Sequence, residues 1–171
     1  MAKFADWLSD IKYEVLHGEP SVPEVREVVF DSRKAVEGTV FNAMKGANVD
    51  AHRFIPAVIA QGCQAIVIEE DPSEFGLERA PVPEEVAIIR VENARASLAA
   101  LSAARYGQPI REMTVIAITG TKGKTTTAHM IQQILEDAGE KVCCIGTTGV
   151  EYCGHHLPTK NTTPESYDLQ H

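Results

Sequence analysis

"TVIAITGTKGKTTTAHMIQQIL", residues Thr114 to Leu135, decides the fold class. An apolar, β-branched run up to Thr119 leads into a turn with two glycines, Gly120 and Gly123, and then into a segment whose apolar residues recur at helical spacing. The glycines let the backbone turn tightly and bring several N–H groups toward one point, and a helix starting near Lys124 adds the positive end of its dipole there. Phosphate oxygens fit that concavity. Lys124 supplies a full positive charge at the outer phosphates, and the Thr125 hydroxyl is placed to ligate a magnesium ion bridging them. The common form of this loop has a glycine where Ile118 stands, so the general motif is met only in part. An ordinary strand–helix turn would leave unexplained a lysine in a glycine turn followed by Thr125, Thr126 and Thr127, which are poor helix formers.

With 171 residues, 44% of them apolar, the chain has material for one domain of ordinary size, or a small domain plus part of another. Its formal charge of -8 argues against a nucleic-acid partner or an anionic membrane surface, so an anionic ligand must be gripped locally. Asp6, Asp10, Lys12 and Glu14 interrupt the apolar positions at the start, and no stretch is long enough for membrane insertion. The reading is a soluble cytoplasmic protein. Cys63, Cys143, Cys144 and Cys153 form no C-x-x-C pair, and His155-His156 has no acidic or cysteine partner at ligand spacing. No protein-only metal site is expected, the cysteines read as packing residues, and the histidine pair reads as part of a solvated loop.

Toward the amino terminus, Phe4, Trp7, Leu8, Ile11 and Val15 recur at helical spacing, which predicts an amphipathic helix with that stripe in the core. Val25 to Phe30 reads as a strand, followed directly by Asp31-Ser32-Arg33, and the next apolar piece, Thr39 to Met44, comes after a turn at Gly38. Residues 52–61 suit a helix, 64–69 and 86–91 strands, and 92–106 an alanine-rich helix. Pro72, Gly76, Pro81 and Pro83 mark an irregular loop. The alternation means α/β. A boundary falls where Gly107 to Arg111 breaks the helix and a new strand, Met113 to Thr119, begins. The second unit then runs through the loop, a helix to about Ala138, a stop at Gly139 and a strand at 141–145. That is one βαβ crossover, and since a parallel sheet is normally covered on both faces, the unit reads as unfinished. The expected domains are 1–106, a linker at 107–112, and 113–171.

Thr119-Gly120-Thr121-Lys122-Gly123-Lys124-Thr125-Thr126 resembles the T-G-T-N-G-K-T-T loop of the Mur ligases, ATP-dependent amide-forming enzymes of bacterial peptidoglycan synthesis. Lys122 stands where the family usually has asparagine; it adds a second positive charge and leaves the backbone cradle intact. "FDSRKAVEGTVFNAMKGANVDAHRFIPAVIAQGCQAIVIE", Phe30 to Glu69, is similar to the family's amino-terminal domain, which binds a uridine nucleotide sugar, with Ala51 in place of the glycine before His52. Gly146-Thr147-Thr148-Gly149 and Asn161-Thr162-Thr163-Pro164 look like segments of the branch that adds the third residue of the stem peptide. The branch that adds a D-alanyl dipeptide shares the Asp-Ser-Arg domain but not the Asn-Thr-Thr-Pro segment. Folylpolyglutamate synthetases share the loop but not that domain.

The resemblance implies a small α/β domain for the uridine nucleotide, followed by the start of a P-loop parallel-sheet ATPase domain. It implies ATP and Mg2+ at Gly120, Thr121, Lys122, Gly123, Lys124, Thr125 and Thr126, with Lys124 catalytic and Thr125 on the metal. Phe30, Ser32, Ala47, Asn48 and Val49 would contact the uridine nucleotide, and Asn161, Thr162 and Thr163 the muramoyl-peptide end. The implied substrates are UDP-N-acetylmuramoyl-L-alanyl-D-glutamate and a diamino acid, diaminopimelate or lysine. Each site also has a plainer reading: Asp31 capping a polar turn, Thr163-Pro164-Glu165 starting a helix, and Asn48 and His52 as surface residues. The family's acidic magnesium ligand, modified lysine and amino-acid-binding domain would lie beyond His171, so the chain is expected to be incomplete and inactive alone. A stand-alone uridine-nucleotide-binding module is the alternative from another class, and a P-loop kinase a weaker one.

Overall fold

Val40-Phe41, Ile66-Val67-Ile68 and Ile88-Ile89 are runs of adjacent apolar residues, and neighbours along a strand point to opposite faces, so such runs need a sheet covered on both sides. The computed structural model, which describes residues 2–46, 49–71, 81–158 and 165–170, shows that arrangement. It divides into two compact units, a first through Pro109 and a second over Ile110–Leu169.

In the first unit, β1 (Ala2–Lys3) pairs with β3 (Glu24–Val25) as a short ribbon. The main sheet takes β2 (Tyr13–His17), β4 (Glu27–Val29), β5 (Thr39–Asn42), β6 (Ala65–Ile68) and β7 (Ala87–Val91) in the order β2-β7-β6-β5-β4. Strands β4 to β7 are parallel, and β2 closes one edge antiparallel to β7. Register places Val29, Phe41, Ile66 and Ile88 on one face. They pack there with Ile55 and Val58 of the helix α1 (Ile55–Ala60) and with Ala35 and Cys63. The other face meets α2 (Ala94–Arg105), which packs on β4, β5 and the 3-10 turn Phe4–Leu8. Each fully buried side chain of this size, Phe41 or Ile66 for example, stabilises by roughly 1.5–3 kcal/mol. Buried Asn42 is satisfied across the layers: its Nδ2 donates to Ala94 O at 2.8 Å, and Ser97 Oγ donates to its Oδ1 at 2.9 Å.

The amino-terminal helix expected from the 4-7-8-11-15 spacing is not formed. Phe4, Trp7 and Leu8 are buried by a 3-10 turn, and Tyr13–His17 is a strand. Residues 13–17 carry a period-two pattern as well, and pairing with β7 decides between the two, with Arg90 donating to Glu14 Oε2 across the ladder. The helix expected over 52–61 is split into a 3-10 turn, Ala51–Phe54, and α1.

In the second unit, α3 (Lys124–Asp137) fills the expected helix and stops at Gly139, whose φ is 90°. The strand expected at 113–119 is absent, because a strand exists through a hydrogen-bonded neighbour and none of the described residues pairs with that segment. The βαβ crossover is therefore not formed either. Strand β8 (Cys143–Gly146) joins β9 (Gly149–Tyr152) and β10 (His155–Leu157) in an antiparallel meander instead, and His155-His156 lies in a strand, not a loop. No residue of α3 is fully buried, and Met130 and Ile134 are 62% and 66% exposed. A short helix, α4 (Ser166–Gln170), ends the described chain. No helix among the described residues is long and apolar enough to cross a membrane.

Candidate functional site

The loop ahead of α3 has the geometry of an anion cradle. Gly123 sits in the left-handed region with φ 80°, which turns the chain into the helix without a side-chain cap. The first bond into the helix is Thr127 N–H to Gly123 O at 2.9 Å, so the amides of Lys124, Thr125 and Thr126 precede the intrahelical ladder and point out of its end. Lys124 Nζ donates to Gly120 O at 2.5 Å, which folds the amine back over the turn. Thr125 Oγ1 lies 3.3 Å from Thr147 Oγ1, in the tight turn between β8 and β9. Thus Gly120, Gly123, Lys124, Thr125 and Thr147 come together, and Thr121, Lys122 and Thr126 stand exposed around them. An uncapped helix end, a lysine and two hydroxyls fit a polyphosphate and the hydrated cation that accompanies it.

Among the described residues, no three His, Cys, Asp or Glu side chains form a group that could hold a metal. Cys144, Glu151 and His156 do face each other across β8, β9 and β10. The ring of His156, however, is engaged 2.6 Å from Thr148 O. Cys143 and Cys144 have thiols pushed up chiefly by burial, which leaves them protonated and poor ligands.

In the first unit, the described members of the predicted nucleotide contacts lie where parallel strands end, the usual ligand edge of an α/β sheet. Phe30 and Ser32 follow β4, and Val49, 49% exposed, belongs to the loop after β5. Asp31 caps the 3-10 turn Ser32–Lys34: its Oδ1 accepts the Arg33 N–H at 3.1 Å, and the Arg33 guanidinium donates to both oxygens. Asp31 and Arg33 therefore serve the turn that presents Ser32. The calls on Ala47, Asn48, Asn161, Thr162 and Thr163 fall outside the described residues, as do Thr163 and Pro164 of the expected helix start. His52, for which a plain surface position was the alternative reading, is fully buried. It bonds Asp50 and the backbone of Glu69, and nothing in the sequence had singled out those two acids. The available signal was the Asp-x-His spacing and an acid at the end of an apolar strand. An open depression of about 450 Å3 lies at the same edge, lined in part by Glu14, Glu69, Arg90 and Glu92. Of the two cations on its lining, Lys12 and Arg90, the second is committed to Glu14 and lies 3.8 Å from Asp71, and both stand among the carboxylates of Glu14, Glu69 and Glu92.

The bonds from the Arg33 side chain, then from its backbone, pull the Asp31 carboxyl from 3.8 down to about 2. A carboxyl depressed by folding stabilises the native state above its unfolded pKa, and that contribution is lost as pH falls through the folded value. Urea midpoints should therefore drop between about pH 4 and pH 2, and Asp31→Asn should remove this part of the slope. An unchanged slope in the variant would show that the cap carries no pH-linked stability.

Two family models match the chain: "Mur ligase family, catalytic domain" over residues 24–106 and "Mur ligase middle domain" over 118–171. The chain belongs to the Mur ligase family. Among curated relatives, the UDP-N-acetylmuramoyl-L-alanyl-D-glutamate--2,6-diaminopimelate ligase of Bacillus cereus is 40% identical over 91% of this chain and 30% of its own length. The enzyme of the same name from Clostridium perfringens is 37% identical over 95% of this chain and 32% of its own. The chain thus spans about a third of the length of these relatives. A solved structure of a ligase with that name shares the fold at TM-score 0.65 with 20% identity, covering 99% of this chain and 32% of its own. MurF from Acinetobacter baumannii aligns at TM-score 0.51 with 30% identity over 79% of this chain and 27% of its own.

Proposed function

We propose that this Mur ligase chain supplies the nucleotide-sugar-binding domain, residues 1–106, and the beginning of the ATP-binding domain, residues 113–171, of a cytoplasmic ligase. The ligase adds a diamino acid to UDP-N-acetylmuramoyl-L-alanyl-D-glutamate during peptidoglycan precursor synthesis. The observation that carries this reading is the cradle at Gly120–Thr126, with its uncapped helix end and its folded-back Lys124. The 40% identity to a ligase with that substrate in its name supports the choice of substrate.

A carboxylate resists attack by an amine, and bound MgATP supplies the phosphoryl group that turns it into an acyl phosphate, from which the amine displaces phosphate to leave an amide. The residues of this chain serve the first half. The amides of Lys124, Thr125 and Thr126 would hold phosphate oxygens, Lys124 Nζ would exchange Gly120 O for an outer phosphate, and the Thr125 hydroxyl would take a place in the magnesium shell. Phe30, Ser32 and Val49, with Ala47 and Asn48, would hold the uridine nucleotide, and Asn161, Thr162 and Thr163 the peptide end.

If so, the chain alone should bind the uridine nucleotide sugar without forming amide. At a hundredfold excess over Kd, binding to the native state adds about 2.7 kcal/mol. For a chain of this size that raises Tm by roughly 5–10 °C. A flat melting curve across millimolar ligand, with folded protein confirmed by circular dichroism, would refute the site.

A further inference from the structure

The loop after β5 closes on itself. Gly46 N–H donates to Val49 O at 2.9 Å, Lys45 bridges Asp50 in antiparallel fashion, and Ala51 N–H donates to Met44 O at 3.1 Å. What fixes this stem is a buried polar chain. His52 has no exposure; its Nδ1 lies 2.5 Å from Asp50 Oδ1, and its Nε2 accepts the Glu69 N–H at 3.2 Å. A ring nitrogen that accepts carries no proton, so the imidazole is neutral and its proton sits on Nδ1, donated to Asp50. The Glu69 carboxylate divides its two oxygens. Oε1 accepts the Lys45 N–H at 3.1 Å, and Oε2 accepts the Ala94 N–H, the first of α2, at 2.9 Å. An acid at a helix start is favourable in itself, and here it also ties the helix to the loop. Burial on its own would raise Asp50, but the bonds from the His52 ring and backbone outweigh it and hold the carboxyl below its usual range.

The geometry points to His52 and Glu69 as positioning residues of the nucleotide-sugar site: they clasp the stem of the loop to the end of β6 and the start of α2, and so set where Gly46 and Val49 stand. This inference rests on the uridine-nucleotide reading, since that reading is what gives the loop a ligand. A buried network with each partner in place admits one geometry, and removing one acceptor strands a donor that water reaches poorly. Neither residue needs to touch the ligand to change its affinity.

Three measurements on the whole chain test the clasp. Nitrogen-15 spectra of the His52 ring should show the neutral form with its proton on Nδ1, a signature that packing alone would not require. Amide exchange at Lys45 and Ala94 should be slow in the parent and faster in Glu69→Gln, whose amide group opposes one of the two N–H donors. Titration with UDP-N-acetylmuramoyl-L-alanyl-D-glutamate should show Glu69→Gln binding about tenfold more weakly. Should that variant fail to fold, the pair Asp50→Asn and Asp50→Ala decides. The first keeps an acceptor for Nδ1–H and should bind like the parent, and the second should lose about tenfold. A proton on Nε2, or parent-like affinity in folded Glu69→Gln or Asp50→Ala, overturns the clasp. Absence of binding by the parent, with the Nδ1 proton and slow Lys45 exchange both present, overturns the nucleotide reading instead and ends the loop's assigned role with it.

Discussion

Lys124→Ala, made in a protein of the relatives' full length that carries this chain, should lower turnover by about a thousandfold. The Lys124 amine already lies over the turn, on Gly120 O, so in the proposed reaction it would meet an incoming phosphate by a short exchange of acceptors and little reorganisation. A preorganised positive charge matters most where negative charge develops in transfer, which is why the loss should fall on turnover and leave the affinity for the uridine nucleotide unchanged. Lys122→Ala is the natural control: it removes an exposed charge from the same loop and keeps the backbone cradle, and should cost far less. Phosphate release at saturating substrates measures both. Turnover within tenfold of the parent in Lys124→Ala would remove this lysine from the chemistry.

The second large effect concerns stability. Gly18 follows β2 with φ +61°, and a Cβ added there would stand 2.2 Å from Val86 O and 2.9 Å from Val86 C. That neighbour is backbone and cannot swing aside. Val86 N–H is bonded to Pro83 O and Ala87 N–H to Gln64 O, at the start of β7, an interior strand of the sheet. Gly18→Ala therefore combines a left-handed backbone penalty with a clash that must be relieved by moving β7 or peeling β2 from the edge, at a cost of about 3 kcal/mol or more. Gly107→Ala separates the two causes, because φ is +77° there with nothing within 4 Å of the added carbon. It should cost only about 1–2 kcal/mol. Urea unfolding of both variants reads the difference, and equal losses would show that the contact at Val86 is relieved without strain.

Most of the first unit's sheet was legible because apolar runs such as Ala65–Ile68 and Ala87–Val91 report burial on both faces directly. The helix α3 was legible because its signals are local, with glycine before it, glycine after it and apolar spacing between. What failed was pairing. Tyr13–His17 satisfies two periodicities, and only the availability of β7 as a neighbour makes it a strand. Thr114–Thr119 has the composition of a strand and no partner among the described residues, and β8 turns to β9. The cradle could be read from Gly120, Gly123 and Lys124, whereas the approach of Thr147 to Thr125 depends on a turn 22 residues away. The burial of His52 was open for the same kind of reason: an imidazole beside an acid fits a surface as well as a core until tertiary structure closes over it.

In the first unit the parallel strands lie side by side in chain order, β4, β5, β6, β7, with no reversal among them. A sheet that reverses its order opens a crevice into which a ligand can sink. This one opens none within its parallel run, so a nucleotide held here rests along a rim built from loops that each belong to a different strand. Such a rim can be rewritten one loop at a time, by insertion or substitution, while the ladder beneath keeps its bonds. Ligand preference and foldability are then largely separate traits of the unit, and they meet where Glu69 and His52 tie one loop to the strand and helix beneath it.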